Sequence, residues 1–535
     1  MQGRNRWLFL AAALLFLLYA GVVIRARPVA VGGADSYGYA QLAKLLAEQG
    51  WSRPLLEDPR LPLLSKVFGE SERRVLRKML CPQYHAVRDY KDGTIFNQFP
   101  PGFPLLLSLP LRAGWEEGVL WVPPLLGCLF FLLAIPLFRG WLPGTGWLVA
   151  LGYFFFLPLT LNYSVVLFPD LASALLGLAV ITGVVFARGG WAMAGWGMLA
   201  GFALLCRVTN VLFLVPVAVT ALHVFRREGF HPRPWLGFGA GFLLAGPLVL
   251  GWYQWGIFGS PLATTYASVW DDFSGLFTWA HLTANLPSYL RFLAADTGWR
   301  GAGWLALAAA GTWAAWRRNR PLVTVALAMG VPLLLVFSLY DWRPVAEATA
   351  APAFNPRYLL PMLPFLALLA GCGWEALAER LPFPRGRVPL AVALALLPAL
   401  LFGNRVWRDQ GMAHYEEIAR AVTRAVEKDA VIFAGGVFPG NFWYHGRSGC
   451  YNLMRGTPAS LQDRVILRCL ELGWPCYLLV DGPRMETEVL PRLSRGFRVV
   501  PVAWPLPVTS VPFGEGVTLR VYRLVLLSPA AGAAP

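Results

Sequence analysis

Charge is what this sequence has least of. Only 14% of its 535 residues are Asp, Glu, Lys or Arg, while 56% are hydrophobic, and a water-soluble chain of this size could not hide that apolar fraction in one core. A bilayer must take up much of it. Lysine is scarcer still, so the formal charge of +16 is carried mainly by arginine. No basic stripe interleaved with aromatics runs along the chain, as a nucleic-acid strand would require, and nucleic acid is discounted as a partner. The arginines sit mostly at the ends of apolar runs and read as topology. Cysteine numbers seven and histidine six, and the cysteine spacing resembles no zinc module. The Gly435-Gly436 turn lacks the glycine pattern of a dinucleotide site and reads as a plain turn.

What is present is a succession of uncharged runs. The first, Trp7 to Ile24, exceeds a signal-peptide core in length, and the Arg25, Arg27 and Pro28 behind it make a poor cleavage site, so an uncleaved signal anchor is expected. Ten more runs are long enough to cross, or nearly cross, about 30 Å of hydrocarbon at about 1.5 Å per residue. They are 118–138, 146–169, 171–187, 189–206, 208–225, 234–257, 301–316, 321–340, 358–374 and 388–403. With the N-terminus cytoplasmic, the inner loops hold eleven arginines and the short outer segments five, as the positive-inside rule asks.

An odd number of spans places the first loop, 25–117, and the last segment outside the cytoplasm. The expected fold is an α-helical polytopic membrane protein of about eleven transmembrane helices: a membrane domain, 1–403, and a small extracytoplasmic α/β domain, 404–535. In the latter a helix is expected over Tyr415 to Glu427, with strands at Ala430 to Ala434, Tyr477 to Val480, Phe497 to Val502 and Val517 to Leu527. Disulfides persist outside the cytoplasm, and a Cys450–Cys476 bridge is the expected one. Arg, Ala, Gly and Pro richness points to a prokaryotic plasma (inner) membrane.

Two stretches of the first loop are apolar without spanning. Tyr39, Leu42, Ala43 and Leu46 recur at helical spacing with Gln41, Lys44 and Glu48 between them, the pattern of a helix lying in the membrane interface. The proline-broken run from Phe99 to Leu111 is too short to span and reads as a dip into the membrane. Asp35 opens the first stretch and Asp170 follows the third span; either is an ordinary helix cap when taken alone. In this topology, however, Asp35, Asp170, Arg207 and Arg357 converge on one side of the membrane. A carboxylate can take a proton from a hydroxyl and an arginine can grip a phosphate in two places. A charge such as Arg207 between two apolar spans must be paired, water-exposed or functional.

The segment Gly33-Ala34-Asp35-Ser36-Tyr37-Gly38-Tyr39-Ala40, followed by Ala43-Lys44, resembles the first outer loop of the C superfamily of glycosyltransferases (GT-C), near the protein mannosyltransferase and aminoarabinose transferase branch. Phe99-Pro100-Pro101-Gly102 resembles that family's double-proline element, Pro169-Asp170 stands at its second acidic position, and Leu204 to Asn210 is similar to its arginine segment. Phe258 to Leu262 and Pro356 to Pro361 match later landmarks. The resemblance implies a sugar donor on polyprenyl phosphate and a glycan, lipid or protein acceptor hydroxyl outside the cytoplasm. Asp35 becomes the general base, Asp170 orients the acceptor or assists, and the sugar inverts at its anomeric carbon. Tyr37, Arg207, Asn210, Arg357 and Tyr358 become substrate contacts. Asn97, Gln98 and Phe99 depart from the acidic and basic residues that many relatives carry before the double proline. No cofactor is therefore carried over, and a divalent metal is left open. The rival readings are a transporter or flippase of lipid-linked saccharides, against which the lack of a clear repeat counts, and a non-catalytic subunit of the same fold.

Overall fold

The computed structural model of the chain describes residues 2–263, 276–293, 302–341, 355–402, 410–502 and 520–527, without 33, 52, 78, 83–84, 187–188, 230, 383–385, 436–437, 447, 454–456 and 481–483. Gly33, Gly436, Arg188, Arg300, Arg343, Arg385, the expected domain boundary at 403/404 and the start of the last strand at 517–519 lie outside the described residues.

The apolar runs are helical. Among the described residues, six segments are long and apolar enough to cross a bilayer: Arg6–Arg25, Gly118–Trp141, Val208–Glu228, Pro232–Phe258, Arg320–Leu339 and Pro356–Arg380. Shorter apolar helices occupy Gly146–Phe156, Asp170–Phe186, Gly190–Cys206 and Arg387–Pro398. The chain is an integral membrane protein with a helical body. Prolines set the breaks: Leu157 is extended ahead of Pro158, and Gly246-Pro247 divides Pro232–Ala245 from Pro247–Phe258. Where two helices must touch, small residues let them. A Cβ at Gly197 would collide with the Phe238 carbonyl, and one at Gly241 with that of Ala194, the close-packed crossing that stands in for the hydrophobic effect inside a bilayer.

Outside this bundle lie two sheets. Strands β1 (Leu56–Glu57), β2 (His85–Asp89) and β3 (Thr94–Asn97) form an antiparallel sheet in the order β1-β3-β2. The C-terminal segment contributes β4 (Val431–Ala434), β5 (Cys450–Asn452), β6 (Cys476–Val480), β7 (Phe497–Pro501) and β8 (Arg520–Leu526), ordered β5-β4-β6-β8-β7. β4 runs parallel to β5 and β6, and β8 antiparallel to β6 and β7. The two outer segments share one hydrophobic core: Leu61, Leu64, Leu76 and Ile95 pack with Val431, Phe433, Val465 and Leu478. A buried ion pair seals the joint. Arg60 Nη1 donates to Asp58 Oδ1 at 3.1 Å and to Ser448 Oγ at 3.2 Å, and the Tyr451 hydroxyl donates to Asp58 Oδ2 at 3.0 Å.

The expected Cys450–Cys476 disulfide does not form, and both thiols are free. β5 and β6 lie on opposite sides of β4. Two strand spacings of about 4.8 Å each separate them, beyond the Cα reach of a disulfide.

Helix Ala34–Glu48 packs on the bundle core on one side and on helix Phe438–Tyr444 of the outer unit on the other. Tyr39 stacks on Phe99 at 4.1 Å and meets Phe103 edge-on at 5.6 Å, which fixes its inner face. Its polar stripe, which on an isolated interfacial helix would face headgroups, runs beneath helix Phe438–Tyr444. Tyr37 packs against Gly440 and Tyr444, and Lys44 Nζ donates to the Tyr444 carbonyl at 3.2 Å. The expected dip is helix Gly102–Arg112, packed on Ala34–Glu48.

Candidate functional site

Four segments deliver four charges to one place. Asp35 stands in the first turn of Ala34–Glu48 and Asp170 in the first turn of Asp170–Phe186, where the helix dipole favours a negative charge. Arg207 is extended, at φ −158° and ψ 123°, between helix Gly190–Cys206 and the 3-10 turn Val208–Phe213. Arg357 opens the 3-10 turn Pro356–Met362, its backbone N–H capped by the Asn355 side chain.

Gly102 holds Arg207 in register. A side chain there would strike the Leu205 and Cys206 backbone, so the Pro-Pro-Gly element brings its helix flush against the turn that carries the arginine. Asn97 anchors the same element from the other end. Its Nδ2 donates to the Gly38 carbonyl at 2.7 Å and its Oδ1 accepts the Phe99 N–H at 2.8 Å. The neutral residue at this departure from the family pattern is therefore a buried brace.

The charges pair across segments. Arg357 Nη1 meets Asp35 Oδ2 at 2.7 Å, with side chains 15% and 13% exposed. Arg207 Nη1 is bonded to Asp170 Oδ1, with side chains 16% and 1% exposed. One ring joins the pairs: the Tyr358 centroid lies 4.7 Å from the Arg207 guanidinium carbon and 5.2 Å from that of Arg357. Phe337 stacks on Tyr358 at 4.3 Å, and Phe168 lies 4.8 Å beneath Arg357. Flat cations held over ring faces in a poorly hydrated setting are oriented as well as stabilised. This arrangement can accept an anion between two guanidinium groups and can offer a carboxylate to a nearby hydroxyl.

Of the expected site residues, Asp35, Asp170, Arg207, Arg357 and Tyr358 come together. Asn210 stands one layer behind, buried, with Nδ2 donating to Ser173 Oγ at 2.9 Å and to the Ala203 carbonyl at 2.7 Å. Both amide hydrogens are spent, so it braces the Arg207 turn against the helix of Asp170. Tyr37 turns its ring toward the outer unit. The geometry adds Phe168, Phe337, Asn355 and Tyr289, whose hydroxyl donates to the Asn355 carbonyl at 3.4 Å. A signal existed for Asn355, because an Asn ahead of Pro-Arg is a cap pattern. The aromatic residues sit in apolar stretches and carry no such mark.

No protein-family model matches this chain, and no curated protein matches it in sequence. Solved structures do. ArnT from Cupriavidus metallidurans, bound to undecaprenyl phosphate, superposes with a TM-score of 0.61 at 15% identity over 99% of this chain and 99% of that one. Its apo state gives 0.56 at 13% over 97% and 98%. The apo Archaeoglobus fulgidus oligosaccharyltransferase gives 0.58 at 12% over 96% of this chain and 76% of that one. Both neighbours are GT-C superfamily proteins, and this chain shares their fold.

Proposed function

We propose that this chain is a membrane glycosyltransferase that moves a sugar from a polyprenyl-phosphate donor to an acceptor hydroxyl outside the cytoplasm. The observation that carries the reading is the double arginine–carboxylate pair around Tyr358. The GT-C fold, and a structural neighbour solved with undecaprenyl phosphate bound, support the donor class. In this reading eleven spans place the N-terminus in the cytoplasm of a prokaryotic cell, and the outer unit on the far side of the plasma membrane.

In the reaction Asp35 takes the proton of the acceptor hydroxyl as that oxygen bonds to the anomeric carbon. The bond from the anomeric carbon to the phosphate oxygen breaks, its electron pair leaves with the lipid phosphate, and the sugar inverts. Arg357, freed from Asp35 as the carboxylate engages the hydroxyl, turns to the developing phosphate charge alongside Arg207. Asp170 acts through Arg207, holding its fork rather than touching the acceptor. The residues at hand do not suit a cation, since both carboxylates face guanidinium groups. Among the described residues no three His, Cys, Asp or Glu side chains gather.

The test is transfer of radiolabelled sugar from polyprenyl-phosphate donors to membrane acceptors by wild type and Asp35→Asn at equal expression. Label that moves with wild type alone supports the reaction and its base together. Equal transfer by both would make Asp35 a structural residue, and transfer by neither across several donors would favour a carrier or a non-catalytic subunit.

A further inference from the structure

The 34–48 helix serves a second polar site on its other face. Residues 41, 44, 45 and 48 form one helical stripe, and Gln41 lies six residues, about 9 Å along the axis, from Asp35. This stripe is one wall of a cleft of about 350 Å³ whose other walls include Glu57, Trp443 and Ser448. The volume falls within the range of small-molecule sites.

Its chemistry is specific. Gln41 is 5% exposed, and its Oε1 has no hydrogen-bond partner among the described residues. A buried amide oxygen left in that state carries its full desolvation cost until a ligand O–H or N–H reaches it. Lys44 brings one positive charge to the cleft wall, its ammonium donating one hydrogen to the Tyr444 carbonyl at 3.2 Å and lying 5.8 Å from that ring centroid. Two exposed carboxylates, Glu48 and Glu57, remain at the rim. The Trp443 indole N–H is spent on the Cys450 carbonyl at 3.1 Å, so toward the cleft it can offer only aromatic carbon. Carboxylates and an amide that accept from hydroxyls, beside aromatic and leucine carbon that suits the C–H face of a ring, describe a sugar site. The rim carboxylates disfavour phosphate, sulfate and uronate groups and favour amines.

We propose that this cleft binds a hydroxyl-rich saccharide, neutral or bearing an amine. Its role as the acceptor's anchor rests on the transfer reading above, whereas the binding does not.

The experiment uses the full chain in lipid nanodiscs, with calorimetric titration and thermal melting against cellobiose, a glucosamine dimer, a sulfated disaccharide and a short Ser/Thr peptide. The expected result is saturable binding of the first two with a raised melting temperature, and at least about tenfold weaker binding of the sulfated sugar. Gln41→Leu and Glu57→Gln each weaken binding of the glucosamine dimer about tenfold. Without ligand, Gln41→Leu melts at or above wild type, because an apolar side chain removes the stranded oxygen. No saccharide binding to wild type, sulfated sugar binding as tightly as the amine, unchanged affinity in both variants, or binding of the peptide alone would each overturn the proposal. Asp35→Asn is expected to bind the dimer as wild type does. A wild type that binds saccharide yet transfers nothing would sink the transfer reading and leave the cleft standing.

Discussion

The two ion pairs look alike and are built differently. Asp35 and Arg357 are both partly open, at 13% and 15%, whereas Asp170 is sealed at 1% beneath an Arg207 exposed to 16%. Asp35 lies on a helix that meets the outer unit; Asp170 begins a helix buried along most of its length and braced through Ser173 and Asn210. A carboxylate that must exchange an arginine for a hydroxyl needs access, and one that must hold an arginine in place needs none. In the proposed reaction the same chemical pair serves as a reactive group in one position and as a mount in the other.

The sharpest way to break that contrast is through activity. Asp35→Asn should lower transfer by about 100-fold or more; a variant with more than about a tenth of wild-type transfer would remove the distinction. Asp170→Asn should keep more transfer than Asp35→Asn and act through stability. Stranding a partly buried arginine costs about 3–5 kcal/mol, visible as a lower melting temperature in detergent. A double-mutant cycle of Asp170→Asn with Arg207→Gln should show stronger coupling than one of Asp35→Asn with Arg357→Gln.

Ser173→Ala leaves the Asn210 amide short of one partner and should cost about 1–2 kcal/mol. If Asn210 is a brace, this change weakens transfer through the Arg207 side without altering the Asp35 pair. A further effect concerns pH. Burial, with Arg420 and Lys44 nearby, pushes the His445 imidazole down to about 4. The unfolded chain therefore takes up that proton first, and the stability this neutral imidazole contributes is lost as pH falls from about 6.5 toward 4. His445 neighbours the 34–48 helix through Lys44, so acid should loosen the Asp35 side before the Asp170 side. His445→Gln should flatten the acid limb of the melting curve, and an unchanged limb would place the sensitivity elsewhere.

Asp35, Asp170, Arg207 and Arg357 stood out in the sequence because the order of spans brings them to one side of the membrane, and Arg207 also because a charge between two apolar spans is costly and therefore rare. Tyr358 came with its arginine. Phe168 and Phe337 did not, since an aromatic residue within an apolar stretch looks the same whether it fills space or carries a cation on its face. Apolar runs and their order were likewise readable, because spanning demands length and composition that local sequence displays. The joint between Leu61 or Ile95 and Val431 or Phe433 was not. A core made from strands more than 300 positions apart leaves no periodic trace, and the same blindness to strand order produced the expectation of a Cys450–Cys476 bridge.

That joint also sets a timetable for making the protein. The ribosome must add roughly 320 residues after Ile95 before Ile418 and the strands behind it exist to complete the shared core. At about 5–20 residues per second the first loop waits on the order of tens of seconds, its apolar face unburied. The helix that carries Asp35 is thus among the earliest segments synthesised and among the last to reach its final surroundings. A chain interrupted anywhere before β4 would be fully inserted through its earlier helices yet hold Asp35 on an unfinished wall.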